Sequence, residues 1–172
     1  MKKISVILLV LIAFSCSNEE ITQYNISLDE WKTLKKQYDN SYTYTTSFES
    51  WAGFGTNTTL TIQNGIVVSR AYEGYQRDNT NGNIIITETY IETIEHLNTH
   101  ERGFPTLTVD ELYTSCIEDY LSVNKKNNTI YFETNDIGII SICGFVPDGC
   151  IDDCFRGFRI SSFEWKSTLS KS

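Results

Sequence analysis

The chain has 172 residues, of which 40% are hydrophobic and 13% aromatic, and its formal net charge is −8. This length and composition suit one folded domain with accessory segments and exclude a wholly disordered chain. If a leader containing Lys2 and Lys3 is removed, 12 of the 14 basic residues remain against 22 acidic ones, a net charge of −10. So acidic a surface repels phosphate backbones, which argues against nucleic acid as a partner.

Residues 1–15 have the pattern of a bacterial secretory signal peptide. A charged start, Met1-Lys2-Lys3, precedes an apolar run over residues 4–14 that is too short to span a bilayer. Ser15 followed by Cys16 resembles a lipobox, in which the cysteine is acylated and becomes the mature N-terminus. Ordinary secretion, with Cys16 inside the signal, is the alternative. Because several acyl chains together anchor a protein stably, the membrane is the first expected partner.

Four residues after the leader carry a further resemblance. Ser17-Asn18-Glu19-Glu20 resembles the acidic export signal of surface lipoproteins in Bacteroidota. This implies an outer-membrane lipoprotein that faces either the periplasm or the cell surface. The polar residues 16–26 have no hydrophobic period and predict a flexible tether. We expect residues 27–165 to form a single domain and residues 166–172 a polar tail.

The first half of this domain reads as a helix followed by strands. Ser27 and Glu30 form a capping box, which predicts the start of a helix of about three turns. Strict alternation of aromatic and polar residues over 42–48 predicts a half-buried strand. Asn64-Gly65, between two short apolar runs, predicts a hairpin. Another strand is expected over residues 83–91.

The second half repeats this arrangement. Thr108 and Glu111 form a capping box and predict a second helix. A strand over 129–134 follows, and then two apolar runs, 137–143 and 155–160, predict an antiparallel hairpin. Because residues 137–143 are apolar on both faces, we expect that strand in the centre of the sheet. The order α-β-β-β-(β)-α-β-β-β predicts an α+β domain, with two helices on one face of an antiparallel sheet of about six or seven strands.

A set of motifs runs through the whole domain: Trp31, Tyr42-Thr43-Tyr44, Asn64-Gly65-Ile66-Val67, Thr108-Val109-Asp110-Glu111-Leu112-Tyr113, Gly138-Ile139-Ile140 and Asp152-Asp153. Together they resemble the bacterial domain of unknown function 6174, over about residues 27–165. Members of that family are mostly predicted lipoproteins of unassigned activity. The resemblance therefore implies a cellular location and a fold but no activity. Many members carry a cysteine pair in the loop after the first strand, where this chain has Trp51 and Phe54.

The cysteines besides Cys16 indicate two disulfides in an exported protein. We favour Cys116–Cys143, because Cys116 lies on the inner face of the second helix and Cys143 shares a strand face with apolar residues. That choice leaves Cys150–Cys154 as the second pair, and Cys143–Cys154 across the hairpin is the alternative. A zinc site is a rival, since the spacing of Cys150 and Cys154 is compatible with a pair of metal ligands.

Two other groups of side chains are weaker candidates for metal binding. The first is a cluster of carboxylates in the hairpin connection: Asp148, Asp152 and Asp153. Clustered oxygens in a turn suit Ca²⁺, but hydrogen bonds within the turn are the simpler interpretation. The second group has four-residue spacing: Glu92, His96 and His100. On a helix these side chains would share one face, whereas an extended chain separates them and favours two solvated histidines.

The loop after the first strand is the candidate recognition site. Residues 50–55 contain Trp51 and Phe54 spaced by glycines. Aromatic side chains supply large contact areas and are enriched at interface hot spots. The alternative is that Trp51 folds back and caps the core.

Three functions follow as hypotheses. The leading one is a non-enzymatic lipoprotein that binds a protein or glycan through the aromatic loop and an exposed, Tyr- and Thr-rich sheet face. The second is a structural or assembly factor of the outer membrane. The third is a hydrolase that uses His96 or His100 with a nearby acid. The chain has no Gly-x-Ser-x-Gly elbow and no phosphate-binding loop, and we expect no cofactor.

Overall fold

The protein, described here by a computed structural model covering residues 19–166, has the expected α+β fold, with 23% helix and 44% strand. Two α-helices, α1 (Glu19–Gln37) and α2 (Val109–Ser115), accompany one antiparallel sheet of seven strands. The strands are β1 (Tyr42–Glu49), β2 (Phe54–Gln63), β3 (Ile66–Arg77), β4 (Ile84–Thr93), β5 (Asn128–Thr134), β6 (Ile140–Pro147) and β7 (Arg156–Trp165). A 3₁₀ turn, Ile94–His96, follows β4, and a π-helical turn, Cys116–Tyr120, extends α2.

The strands are arranged in the order β4-β3-β2-β1-β7-β6-β5. Consecutive hairpins lead outward from β1 to β4 on one side and join β5, β6 and β7 on the other. β1 and β7 connect the two sets by antiparallel pairing, from Tyr42 opposite Trp165 to Thr46 opposite Ile160. The predicted Asn64-Gly65 hairpin is confirmed, and its two residues have φ values of 51° and 78°, as a type I′ turn requires.

The strand that we expected in the centre of the sheet lies second from its edge. Only β5 lies outside β6, which begins at Ile140. The Asn135 side chain accepts the N–H groups of Ile137 and Ile139, and Gly138 has a φ of +80°. The first part of the apolar run is therefore a turn, with Ile137 44% exposed. A continuous apolar pattern fails to place the strand because part of that pattern belongs to the turn and not to the strand.

Helix α1 begins at Glu19, earlier than the capping box at Ser27 predicted. Tyr24 and Ser27 are buried on the same side of this longer helix. The Ser27 hydroxyl lies 2.6 Å from Tyr113 Oη, and Tyr24 Oη donates to the Tyr113 carbonyl at 3.1 Å. The tether prediction is thus wrong for the part that the structure describes, because Tyr24 fixes the preceding polar residues to the domain. The lipidation candidate Cys16 lies outside the described residues.

The second capping box and both predicted disulfides are confirmed. The Glu111 N–H donates to Thr108 Oγ1 at 3.3 Å, and the Thr108 N–H donates to the Glu111 carboxylate at 2.7 Å. One disulfide, Cys116–Cys143, joins the end of α2 to β6 with a Cα–Cα distance of 5.7 Å. The other, Cys150–Cys154, lies within the connection between β6 and β7 with a Cα–Cα distance of 6.3 Å. The zinc hypothesis is wrong, because sulfurs joined in disulfides are not the thiolates that bind zinc.

The two helices share an aromatic core with the middle of the sheet. Trp31 is 0% exposed, and its ring centroid lies 5.1 Å from that of Tyr42 and 5.5 Å from that of Trp165. Tyr113 Oη accepts the N–H of Ile140 at 3.0 Å, which links α2 to β6. Burial raises the pKa of Tyr113 to about 12. The phenol therefore stays neutral and serves as a structural hydrogen-bonding group.

The other half of the same sheet face is covered by a loop. The segment 94–107 lies over β2, β3 and β4, and the Phe104 N–H donates to Thr58 Oγ1 at 2.9 Å. Beside it Arg70 of β3 and Glu92 of β4 form an ion pair, with 2.8 Å between Nε and Oε2 and side chains only 4% and 1% exposed. A buried ion pair thus lies beneath this loop, where the other half has helices and a disulfide.

Candidate functional site

The sheet opens between β1 and β7 beyond the Thr46–Ile160 pair. From there residues 47–49 pair with β2, residues 156–159 extend toward β6, and no pairing joins β1 to β7. A register shift between Thr45 and Thr46 marks the point at which the two strands separate. A cleft of about 930 Å³ lies between them. We call this space the cleft.

The cleft has a mixed lining, in which aromatic side chains lie beside polar and charged ones. Its apolar residues include Phe48, Phe104, Pro105, Phe155 and Phe158. On the polar side, Ser47 Oγ lies 2.8 Å from Asn57 Oδ1 and 2.7 Å from Ser161 Oγ. Aromatic surface combined with convergent polar groups suits a site that takes up a small molecule or a side chain of a partner.

Two strand connections are bonded to each other at the cleft. Ser50, 4% exposed, donates its hydroxyl to Asp153 at 2.5 Å. The backbone N–H of Trp51 donates to the same carboxylate at 3.4 Å, and the Trp51 indole N–H donates to Asp152. These bonds join the β1–β2 connection to the β6–β7 connection, which the Cys150–Cys154 disulfide shortens. The loop that carries Trp51 is therefore held in one position.

Three aromatic side chains of this region are exposed, and we call them the aromatic rim: Phe48 (47%), Trp51 (78%) and Phe54 (48%). The Phe48 and Phe54 rings lie 6.1 Å apart, centroid to centroid, and Phe48 also lines the cleft. The alternative in which Trp51 caps the core is wrong, because Asp152 holds its indole N–H at the surface. The structure thus exposes both predicted loop residues and places Phe48 beside Phe54.

The calcium candidate does not form a site in the described residues. Among residues 19–166, no group of three or more His, Cys, Asp or Glu side chains is placed to hold a metal ion. Asp152 and Asp153 bond to the aromatic loop, and the backbone of Asp148 bonds to Asn127. Asp152 also accepts the N–H of Asp153 at 2.9 Å, a local turn bond of the kind expected as the simpler interpretation.

The three residues with four-residue spacing lie on a strand end and the turn after it. His96 is exposed in the 3₁₀ turn, whereas His100 Nδ1 lies 3.0 Å from Glu92 Oε1. The ring of His100 stacks on Tyr90, with centroids 3.9 Å apart. Glu92 thus contacts one of the two histidines, and its other partners include Arg70.

The protonation state of Glu92 follows from these contacts. Burial alone would raise its pKa, but hydrogen bonds from Arg70, from His100 and from the Asn98 N–H outweigh burial and hold the pKa of Glu92 well below its usual range. The carboxylate stays charged at neutral pH and is fully occupied as an acceptor. It orders the loop that covers β2, β3 and β4.

The site contains residues that the sequence did not identify. Phe155 and Phe158 line the cleft although they were assigned only to a strand. Ser50 and Asp153 were named as parts of two separate candidates, and the bond between them was not expected. The sequence gives one indication of the ion pair. Glu92 lies two residues after Tyr90 in the same strand, so both side chains face the covered side of the sheet. No local signal pairs Ser50 with a residue so distant in the chain.

The face away from the helices is the second predicted recognition feature. Hydroxyl-bearing side chains of neighbouring strands lie side by side there, and Thr45 Oγ1 is 2.9 Å from Thr59 Oγ1. A shallow depression of about 530 Å³ is lined by residues of this face. It contains Thr89 and Ile91 of β4 together with polar residues of the inner strands. It offers fewer aromatic groups than the cleft, and we treat the cleft and its rim as the candidate site.

Comparison with protein-family models, with curated proteins and with solved structures found no match to this chain. The resemblance to the bacterial domain of unknown function 6174 therefore stays a prediction. No helix within residues 19–166 is long and apolar enough to cross a membrane.

Proposed function

We propose that this chain is a lipid-anchored protein of the bacterial outer membrane that binds a protein or glycan partner and does not catalyse a reaction. The observation that carries the proposal is the aromatic rim beside the cleft. Trp51 exposes 78% of its surface although its indole N–H and its backbone are both bonded to the neighbouring connection. Exposed aromatic surface that the fold holds in place, next to a lined cleft, suits recognition.

The geometry supports tight contact with a partner at low entropic cost. The Asp152 and Asp153 carboxylates fix the loop before a partner arrives, so little ordering is needed on binding. The flat faces of Trp51 and Phe54 can stack on the apolar face of a sugar ring or on an apolar side chain. Ser47 and Asn57, inside the cleft, offer hydroxyl and amide groups for directional hydrogen bonds.

The anchor belongs to the same proposal. The described helix α1 starts at Glu19, three positions after the lipidation candidate Cys16 in the sequence. Acylation there would hold the domain close to the membrane surface, at the end where Glu20 pairs with Lys125 at 2.6 Å. Cys16→Ser should abolish fatty-acid labelling and detergent partitioning. Equal membrane fractionation of the variant and the parent would refute the anchor.

The hydrolase alternative has less support from the geometry. It depends on a histidine with a nearby acid, and the acid beside His100 is Glu92. That carboxylate accepts two bonds from Arg70 and two from backbone N–H groups, and its pKa is depressed. A carboxylate so stabilised is a weak proton acceptor at neutral pH.

The test combines crosslinking with substitution in intact cells. A photoreactive amino acid at Ala52, between the rim residues, should capture the partner. Trp51→Ala/Phe54→Ala should remove the crosslinked product while the melting temperature changes by only a few degrees, since exposed residues contribute little to stability. Ile66→Ala is the matched control, because Ile66 is also exposed (60%) but lies at another turn. Retention of the product in the double variant would refute the recognition role of the rim.

The same experiment distinguishes the two classes of partner. If protease digestion removes more mass than the chain itself accounts for, the product contains a second protein. If glycosidase treatment lowers the mass of the product, it contains a glycan. Identification of a constitutive membrane-assembly component in the product would favour the second hypothesis, the assembly factor.

A further inference from the structure

Strand β4 is an edge strand with only part of the usual protection. It pairs with β3 on one side and with no other strand of residues 19–166. Natural sheets protect such edges by short length, lysine, proline, bulges or inward-pointing charges. β4 is 10 residues long and contains neither lysine nor proline, although it has a bulge at Thr87 and an inward-pointing Glu92. The strand and the turn after it expose several isoleucines: Ile84 (54%), Ile85 (52%), Ile86 (47%), Ile91 (74%) and Ile94 (57%).

A register shift arranges three of these isoleucines on one face. Thr87 is an extra residue between the positions opposite Gly74 and Tyr75 of β3. An extra residue reverses the alternation of side chains along the strand. Ile86 and Thr89, which would face opposite sides of a regular strand, therefore face the same side. The side chains that face away from the helices along this edge are Ile84, Ile86, Thr89 and Ile91.

We propose that β4 pairs antiparallel with β4 of a second copy of this chain, so that two sheets join into one. With the two-fold axis between Thr87 and Glu88, Ile84 lies opposite Ile91 of the second copy and Ile86 lies opposite Thr89. Every opposite pair in this register has its two side chains on the same face. The isoleucines of both copies then lie on one face together with the two Thr89 side chains, as a self-complementary two-fold interface requires.

The charges along the edge permit this contact although the whole chain is acidic. Glu88 would lie opposite Thr87 of the second copy, so no two carboxylates face each other. Glu88 is already bonded to Arg102 at 2.9 Å, and Glu92 to Arg70 at 2.8 Å. The location also favours access, because the opposite edge, β5, is the one close to Lys125 and the N-terminal end of α1.

The test measures the oligomeric state of the full chain by sedimentation equilibrium in density-matched detergent. The parent should be a dimer at micromolar concentration. Ile84→Lys/Ile91→Lys and Ile84→Glu/Ile91→Glu should each raise the dimer dissociation constant about tenfold or more, since each puts like charges opposite each other at both ends of the interface. An equal mixture of the two variants should dimerise again, because lysines then face glutamates.

The controls separate this interface from general effects. Ile66→Lys/Ile137→Lys adds the same charge at exposed isoleucines (60% and 44%) away from β4 and should leave the dimer intact. Recovery in the mixture also shows that both edge variants are folded. A monomeric parent, a dimer that survives both edge variants, or a mixture that stays monomeric would each overturn the proposal.

Discussion

The two halves of the sheet are held together by different kinds of interaction. On the side of β5, β6 and β7, two helices cover an aromatic core around Trp31, and a disulfide joins Cys116 to Cys143. On the side of β2, β3 and β4, no helix of the described residues packs on the sheet. A loop covers it instead, and the Arg70–Glu92 ion pair lies beneath that loop. Apolar residues are buried in both halves, since Leu60 and Ile62 of β2 belong to the same core, but the half with β2, β3 and β4 also buries an ion pair.

The difference determines how a substitution destabilises each half. Removing apolar volume leaves a cavity whose cost depends on how far the surroundings relax, whereas removing one member of a buried ion pair leaves an uncompensated charge. The loop over β2, β3 and β4 is bonded to Glu92 through the N–H groups of Asn98 and His100. Loss of this carboxylate therefore releases the loop as well as the pair.

The largest expected effect is in the half without helices. Arg70→Met should destabilise the protein by about 3–5 kcal/mol, because Glu92 stays buried without its cation. Arg70 also donates to the His100 carbonyl at 2.8 Å, so the loop loses a second bond. Urea unfolding would measure the loss of stability, and hydrogen exchange over residues 98–107 should rise. A loss below about 1 kcal/mol would mean that the pair contributes as little as a surface salt bridge.

The double variant Arg70→Met/Glu92→Met is the matched control. It removes both charges, and apolar replacement of a buried pair is often nearly neutral. We expect it to recover most of the stability in urea but not the slow exchange of the Asn98 and His100 amides, which lose their acceptor. If those amides also regained protection, the carboxylate would not be what orders the loop.

The disulfide in the helix-covered half should give the next largest effect. Cys116→Ala/Cys143→Ala should cost about 3–4 kcal/mol, because the bond closes a loop with a sequence separation of 27. Cys150→Ala/Cys154→Ala is the control, with a separation of 4 and an expected cost of about 2 kcal/mol or less. Thermal and urea unfolding of both variants would test the order. Equal losses would indicate that strain or local contacts dominate over the closure of the loop.

Acid should act selectively on the half held by the ion pair. The depressed pKa of Glu92 means that the folded protein resists its protonation, so the unfolded chain binds the proton first as pH falls. The advantage of the parent over Glu92→Gln should be fully present at about pH 6 and should shrink below about pH 4, near the unfolded value of a glutamate. Urea midpoints of both proteins measured across this range test it. An advantage that grew in acid would contradict the assigned direction.

How much the sequence predicts depends on whether a feature is local, and not on the half of the sheet in which it lies. The Thr108 capping box, the Asn64-Gly65 turn and both disulfides depend on local chemistry or on the face of one element, and all are confirmed. The Arg70–Glu92 pair depends on the register between two strands, which no single stretch encodes. The early start of α1 depends on a contact between Tyr24 and Tyr113 that a polar composition conceals.

The same limit applies to the candidate site. The exposed aromatics Trp51 and Phe54 follow from their local pattern of glycines and large rings, and the structure adds their degree of exposure. The cleft itself arises because β1 and β7 separate beyond Thr46, a property of strands that lie far apart in the chain. Its lining residues therefore carry no shared sequence signal.

The smallest expected effect is at the connection that joins the two halves. Asp152→Asn keeps the size of the side chain but weakens the acceptor of the Trp51 indole N–H. Because both residues are exposed, stability should change by less than about 0.5 kcal/mol. The fluorescence anisotropy of Trp51, isolated by subtracting the signal of Trp51→Phe, should fall because the ring moves more freely. Asp148→Asn removes one negative charge from the same connection without contacting Trp51 and should leave the anisotropy unchanged. An equal decrease in both variants would show that overall charge, and not the Trp51–Asp152 bond, holds the rim in position.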